Sequence, residues 1–162
     1  MSLRPPTTWL SNMTAPHIRC PDQHRFVLDL MVQTNVWCSS GAVMPNGTLI
    51  QTGGSFDGER KVRIFDSCST SNDCDWVEIN NGLAVKRWYP TNHILPDDRQ
   101  VVIGGRAQFN YDFLPKNGGP ILHDLPFSAK TNDVIPENNL CPFVFLIGDT
   151  NLFIYGNNQS IL

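Results

Sequence analysis

The stretch MPNGTLIQTGG at Met44–Gly54 decides the fold, because the chain repeats its pattern twice. It returns 51 residues later as LPDDRQVVIGG at Leu95–Gly105, and a third copy, GDTNLFIYGN at Gly148–Asn157, aligns with the second at an offset of 52. A period near 50 residues with a double glycine is the kelch-type signature of propeller blades. The repeat therefore predicts an all-β fold, a kelch-type β-propeller arc.

Each repeat contains the patterns of short strands. In the first, Ala42–Met44 and Leu49–Thr52 flank a Pro-Asn-Gly turn, in which Asn-Gly supplies the positive φ values of a tight hairpin. Polar and apolar residues alternate along Lys61–Asp66 and Asp75–Ile79, which predicts a third and a fourth strand. Four strands per repeat make one blade.

The second repeat predicts strands at Thr91–Leu95 and Gln100–Ile103 and a further strand within Arg106–Phe113, followed by a loop at Pro115–Pro120. The third copy predicts a hairpin. No segment has a helical period. The predicted strands make up about two four-stranded blades plus the hairpin of a third. Propellers typically close with 4 to 8 blades, so we expect a fragment of a ring.

Residues 1–32 form the first predicted region. They are rich in proline and aperiodic, which predicts an irregular leader or the remnant of a preceding blade, whereas residues 33–162 form the partial propeller domain.

Composition excludes several classes of function. A hydrophobic content of 41% argues against disorder, and a net charge of −3 leaves no basic surface for nucleic acid or anionic membranes. No run approaches the roughly 18 apolar residues of a membrane span. The first eight residues lack the apolar segment of a secretory signal, so the sequence leaves the compartment open.

Five cysteines and three sequons are the features that an exported protein would use. Cys68 and Cys74 flank a short polar loop and predict a local disulfide, the alternative being two reduced thiols. If the protein is secreted, glycans are expected on Asn12, Asn46 and Asn158.

Cys38 and Tyr89 lie at the same phase of the repeat, as does Cys141 in the third copy. Inner strands of neighbouring blades line a central channel. Residues that precede these strands at equivalent positions are therefore predicted to be neighbours around the channel mouth. A thiol beside a phenol can be joined oxidatively as a thioether. The plainer interpretation is a buried cysteine and a tyrosine packed between blades.

Seven motifs occur in an order that resembles the N-terminal domain of plant glyoxal oxidases, which are relatives of galactose oxidase. The motifs are Trp37–Gly41, Gln51–Gly54, Asp57–Arg60, Asp75–Glu78, Arg87–Asn92, Ile103–Arg106 and Gln108–Tyr111. The resemblance extends from about Gln33 to the end of the chain.

The resemblance implies a copper radical oxidase with a seven-bladed propeller. Its cofactor would be copper with a thioether-linked radical pair formed by Cys38 and Tyr89, and the oxygen of Tyr89 would bind the copper. The implied reaction oxidises small aldehydes to carboxylic acids and reduces O2 to H2O2, in an extracellular or cell-wall setting.

The sequence also departs from the family. The resemblance implies an axial tyrosine followed by a histidine, and a second distant histidine, as further copper ligands, but the sequence contains no Tyr-His pair. Cys141 stands where the third blade of the family has tyrosine, and Arg106-Ala107 stands where galactose oxidase places a stacking aromatic residue.

Three interpretations follow. The first is a truncated copper radical oxidase, inactive alone and with weakly held copper or none. The second is a non-enzymatic kelch-like interaction module, and the third is a gene remnant without a stable product.

Overall fold

The computed structural model describes residues 30–66, 75–116, 118, 121–133, 135, 137, 139–148 and 151–162. Within these residues the strands form three antiparallel sheets, each of which follows the chain order as a meander. We call the sheets blade 1, blade 2 and blade 3. The all-β propeller-like fold predicted from the repeat is confirmed.

The strands have the following bounds. Blade 1 contains β1 (Ser40–Val43), β2 (Leu49–Thr52), β3 (Val62–Phe65) and β4 (Val77–Ile79). Blade 2 contains β5 (Thr91–Ile94), β6 (Gln100–Ile103), β7 (Asn110–Leu114) and β8 (His123–Asp124). Blade 3 contains β9 (Phe143–Ile147), β10 (Asn151–Gly156) and β11 (Gln159–Ile161). A 3-10 turn at Phe56–Gly58 and the short helix α1 at Pro126–Lys130 complete the elements.

The first strands of the blades lie side by side, with β5 between β1 and β9. The backbone N–H of Asn92 donates to Ser40 Oγ at 3.1 Å, which joins blade 2 to blade 1. On the other side of β5, Thr91 Oγ1 donates to the carbonyl oxygen of Pro142 at 2.7 Å. The inner strands are therefore held in the sequence order of the repeats.

Strand β6 forms the centre of the fold because both of its faces are covered. All four of its residues are buried, and side chains alternate between the two faces of a strand. Val101 and Ile103 pack in a cluster with Leu125, which precedes α1, and with Val144 and Ile154 of blade 3.

The opposite face of β6 points toward blade 1. Val102 joins a second cluster with Val62, Leu83 and Leu114. Each junction between blades therefore has its own apolar core.

The junction of blades 1 and 2 also contains a buried chain of polar side chains. Thr52 Oγ1 donates to Asn92 Oδ1 at 2.7 Å, and Asn92 Nδ2 donates to Gln100 Oε1 at 2.8 Å. Gln100 Nε2 then donates to the carbonyl oxygen of Ala42 at 3.0 Å. Burial of these groups is tolerated because each has a partner.

The double glycines are fixed by two fully buried arginines. Arg63 donates to the carbonyl oxygen of Gly53 at 2.7 Å, and Arg87 donates to that of Gly104 at 2.5 Å. Gly53 and Gly104 are equivalent positions of the repeat, with φ values of 73° and 68°. The same backbone site is thus held by an arginine in both blades.

Positions 53 and 54 require glycine for two reasons, because there is no space for a Cβ atom and because the backbone has positive φ. A Cβ at Gly53 would collide with the carbonyl oxygen of Arg87, and one at Gly54 would collide with that of Asn35. Both residues also have positive φ, which side chains disfavour. The glycines therefore let the segment between blades approach the first blade closely.

The structure corrects several details of the prediction. Blade 3 is a three-stranded sheet, because β11 pairs with β10 beyond the expected hairpin. His123 lies on β8, which pairs with β7 and adds a strand to blade 2 that was not predicted. The helix α1 was not predicted, since five residues are too short to show a period. The domain boundary between residues 32 and 33 stays a prediction.

Candidate active site at the starts of the inner strands

Cys38, Tyr89 and Cys141 form one row across the three blades, each just before an inner strand. The backbone N–H of Tyr89 donates to the carbonyl oxygen of Cys38 at 2.9 Å. The backbone N–H of Cys141 donates to the carbonyl oxygen of Tyr89 at 3.1 Å. The structure thus brings the three repeat-equivalent residues together, with Tyr89 in the middle.

All three residues of this row have the left-handed backbone conformation. Their φ values are 57° for Cys38, 64° for Tyr89 and 50° for Cys141. Non-glycine residues rarely adopt positive φ, and their clustering is typical of functional sites. The three equivalent positions therefore share one uncommon backbone conformation.

Cys38 and Cys141 both influence the hydroxyl of Tyr89. A hydrogen bond with Cys38 raises the pKa of the Tyr89 hydroxyl, and burial and the thiols of Cys38 and Cys141 act in the same direction. The positive charge of Arg106 opposes this by lowering that pKa. The pKa of Cys141 is also raised, by burial and then by Cys38. The three groups therefore form one electrostatic cluster.

Two tryptophans precede the row and pack beside it. The ring centroids of Trp37 and Trp88 are 5.3 Å apart in an edge-to-face arrangement, and Trp88 lies 4.9 Å from the Tyr89 ring. Edge-to-face contacts are favourable because the positive ring edge meets the negative face. The indole rings therefore restrict the position of the Tyr89 ring.

Arg106 covers the outer side of this aromatic group. Its guanidinium carbon lies 5.1 Å from the Trp88 ring centroid, and its Nε pairs with Glu137 at 2.8 Å. Next to it is a cleft of about 420 Å³, and its lining includes Trp37, Trp88 and Arg106. Sequence reasoning noted Arg106 as a departure from galactose oxidase but did not assign it this contact.

The other predicted site residues lie away from this row or outside the described residues. Cys68, Cys74 and Asn12 fall outside the described part of the chain. Asn46 and Asn158 are exposed in the turns between β1 and β2 and between β10 and β11. The disulfide and the glycans stay predictions.

The residues around Tyr89 do not make a complete copper site. Within the described residues no group of three or more His, Cys, Asp or Glu side chains could hold a metal ion. His93 pairs with Val101 inside blade 2, and His123 stacks on Tyr111 at 5.0 Å. Copper(II) prefers a tetragonal set of nitrogen and oxygen ligands. One phenol between two thiols does not fit that set.

None of the helices that the structure describes is long and apolar enough to cross a membrane.

Comparison with known proteins gives matches over most of the chain. A family model described as "Glyoxal oxidase N-terminus" matches residues 12–162. "Aldehyde oxidase GLOX" of Vitis pseudoreticulata is 39% identical over 86% of this chain, and "Aldehyde oxidase GLOX1" of Arabidopsis thaliana is 43% identical over 82%. The matched segments cover 28% and 21% of those two relatives. The chain therefore spans about a quarter of the length of these relatives.

A comparison with solved structures found a copper complex of a fungal alcohol oxidase of the AA5 family. It is 24% identical, with a TM-score of 0.43, and the match covers 50% of this chain and 17% of that one. The family assignment depends on the sequence matches. The chain belongs to the glyoxal oxidase N-terminal family.

Proposed function

We propose that this chain supplies the cysteine and tyrosine of the radical site in an aldehyde oxidase of the glyoxal oxidase type. The observation that carries the proposal is the placement of Cys38 and Tyr89 on neighbouring blades, where a backbone hydrogen bond of 2.9 Å joins them. Two relatives named aldehyde oxidase support the type of reaction.

The first chemical step would be the covalent linkage of Cys38 and Tyr89. The Cys38 S–H bond and one ring C–H bond ortho to the Tyr89 hydroxyl break, and a carbon–sulfur bond forms. Dioxygen takes the two hydrogens and leaves as H2O2. The backbone hydrogen bond between the two residues supports this reaction, because it keeps the thiol and the phenol on adjacent positions of neighbouring blades.

The overall reaction proposed for the whole oxidase converts a small aldehyde to a carboxylic acid. The hydrated aldehyde loses two hydrogens, which reduce O2 to H2O2. A sulfur substituent makes a phenol easier to oxidise, so the linked Tyr89 would serve as the one-electron centre. Trp37 and Trp88 would hold its ring in place, and the positive charge of Arg106 would oppose the rise in the pKa of its hydroxyl.

Copper is proposed for the family but does not fit the described residues of this chain alone. We therefore expect the isolated chain to show no aldehyde oxidase activity, because no described histidine lies at the row of Cys38, Tyr89 and Cys141. By the same resemblance, we propose an extracellular setting for the oxidase.

The linkage can be tested on the purified chain. After exposure to air and a copper salt, and then to a disulfide reductant, we expect the intact mass to lie two hydrogens below the calculated mass and a peptide map to join Cys38 to Tyr89. The variants Cys38→Ser and Tyr89→Phe should keep their full mass. Cys141→Ser is the matched control and should still form the linkage.

Separate and unmodified recovery of the Cys38 and Tyr89 peptides would contradict the proposal. It would favour the interpretation as a non-enzymatic kelch-like interaction module.

A further inference from the structure

A cavity of about 500 Å³ lies between blades 2 and 3 and has no part in the function proposed above. Strands β6 and β7 form one wall, strands β9 and β10 form the other, and the turn between β5 and β6 contributes Leu95 and the residues after it. The four residues of β5 separate this turn from Tyr89, and four residues of strand span about 13 Å. The cavity is therefore a separate place from the candidate active site.

The walls of the cavity consist mainly of branched apolar side chains. They include Val101, Ile103, Leu125, Leu146, Leu152 and Ile154. Ligand pockets usually measure about 300–1,000 Å³ and combine apolar walls with a few polar groups. A cavity lined in this way does not hold water well and accepts apolar molecules instead. Its size and lining are therefore those of a pocket for a small apolar ligand.

Tyr111 and Phe113 of β7 add an aromatic section to the wall. Their ring centroids are 5.6 Å apart in an edge-to-face arrangement, and His123 of β8 stacks on Tyr111 at 5.0 Å. These contacts fix the orientation of the rings. Aromatic rings attract one another when they meet edge to face or offset-stacked. A ligand that contains a ring therefore gains more from this wall than an aliphatic ligand of equal size.

The two charged residues of the lining, Asp97 and Arg99, neutralise each other. Arg99 Nη2 lies 2.6 Å from Asp97 Oδ2, and Arg99 Nε donates to the same oxygen at 2.7 Å. The guanidinium carbon also lies 4.5 Å from the centroid of the Phe113 ring. Both side chains are partly exposed, which places this ion pair at the mouth of the cavity.

This ion pair disfavours charged ligands of either sign. A carboxylate would have to displace Asp97 from Arg99, and a cation would have to displace Arg99 from Asp97. The apolar walls behind the pair offer no compensation, because an isolated charge is costly to bury. The lining therefore selects an uncharged ligand.

We propose that this cavity binds a small uncharged molecule that contains an aromatic ring, and that the Asp97–Arg99 pair at its mouth excludes charged analogues. The site is independent of the oxidase function proposed above, which uses residues at the other end of β5.

Toluene, benzoate and benzylammonium test the proposal at neutral pH, because they share one ring and differ in charge. We expect toluene to shift the methyl NMR signals of Val101, Leu146 and Ile154 and to raise the midpoint of thermal unfolding. Benzoate and benzylammonium should bind more than about tenfold more weakly, since the apolar walls do not solvate a charge.

Leu146→Phe and Ile147→Phe are a matched pair of variants, because both add a ring to β9 but on opposite faces. Leu146 lines the cavity, whereas Ile147 is 49% exposed. Leu146→Phe should weaken toluene binding by more than about tenfold through the loss of space, and Ile147→Phe should leave it unchanged. Val101→Ile fills less of the cavity and should weaken binding to a smaller extent. Circular dichroism verifies that the variants are folded, and Val101→Ile replaces Leu146→Phe if the latter is not.

Asp97→Asn tests the role of the ion pair. It removes the negative charge and leaves Arg99 able to pair with a carboxylate ligand. Benzoate affinity should rise by up to about fivefold, the range expected for an exposed ion pair, while toluene affinity should stay the same.

The proposal would be overturned if toluene shifted none of the three methyl signals, or if it bound Leu146→Phe and Ile147→Phe equally well. Equal affinities of the parent for toluene and benzoate would contradict the selection against charge, as would an unchanged benzoate affinity in Asp97→Asn. None of these results bears on the Cys38–Tyr89 linkage, because the variants leave both residues intact.

Discussion

The two junctions between blades join similar sheets in different ways. The junction of blades 1 and 2 combines an apolar cluster with the buried polar chain of Thr52, Asn92 and Gln100. The junction of blades 2 and 3 is built around an apolar cluster, and a cavity of about 500 Å³ lies there. Buried hydrogen bonds require one register, whereas apolar contacts tolerate several arrangements. The first junction is therefore the more specific one.

This difference bears on the row of Cys38, Tyr89 and Cys141, because each junction positions one of its pairs. Cys38 and Tyr89 meet across the first junction, and Tyr89 and Cys141 meet across the second. We expect the first pair to be held more rigidly. The reaction that needs the closer contact, thioether formation, is proposed for that pair.

The largest expected effect comes from breaking the first junction at Arg87. Its guanidinium is fully buried and pairs with Asp112 at 3.4 Å. Arg87→Met leaves the carboxylate of Asp112 buried without its cation, which should lower the free energy of unfolding by about 3–5 kcal/mol. Urea denaturation measures the change.

Lys86→Ala is the matched control, because Lys86 is 72% exposed and its pair with Glu59 should contribute about 0–1 kcal/mol. In the double variant of Arg87→Met with Asp112→Leu, much of the loss should be recovered. If Arg87→Met were as stable as Lys86→Ala, the ion pair would have no role at the junction.

One methylene added on β6 should change the stability of the fold by a smaller amount. The sign of this change should differ between the two junctions. Val101 lines the cavity between blades 2 and 3, so Val101→Ile should stabilise the fold by about 0.8 kcal/mol. Val102 is fully buried on the opposite face, so Val102→Ile should destabilise it by about 1–3 kcal/mol through overpacking. Thermal unfolding of the two variants measures both changes in stability. A change of the same sign in both variants would contradict the prediction.

The smallest expected effect is on stability at acidic pH, and it should be confined to blade 1. Burial by itself raises the pKa of Glu78, but hydrogen bonds from Thr34 and Gln33 and the charge of Arg63 outweigh it, so that the pKa lies below its ordinary value of 4.5. A lowered pKa contributes stability that is complete above pH 4.5 and is lost as the pH falls through the folded value. Glu78→Gln should therefore flatten the fall in stability below pH 4.5, measured by urea titration at several pH values.

Glu137→Gln serves as the control for acid sensitivity. The pair of Glu137 with Arg106 is about half exposed and lies at the second junction. Its loss should leave the pH dependence nearly unchanged. If Glu137→Gln changed the pH dependence of stability more than Glu78→Gln did, the assignment of acid sensitivity to Glu78 would be wrong.

The sequence predicted most of the architecture because glycine and turn residues mark backbone conformations directly. The repeat placed β1, β2, β5 and β6 and put Cys38 and Tyr89 on adjacent blades. It did so because blades are copies with one geometry, so equal phase becomes spatial proximity.

The buried arginines could not be predicted in the same way. Arg63 occupies a polar position in the alternating segment Lys61–Asp66, which normally faces water, yet the structure buries it against Gly53 and Glu78. The alternation of polar and apolar residues along a strand does not show whether neighbouring sheets cover both faces of that strand. Strand β8 was missed because two residues carry too little pattern.

The left-handed conformation shared by Cys38, Tyr89 and Cys141 implies a trade-off between durability and chemistry. Glycine adopts positive φ without the steric cost of about 1 kcal/mol or more that a side chain incurs there. Selection for heat resistance alone would therefore favour glycine at all three positions, and each such gain would remove a thiol or the phenol. A thermostable variant of this fold obtained without monitoring its chemistry is expected to lose the row first.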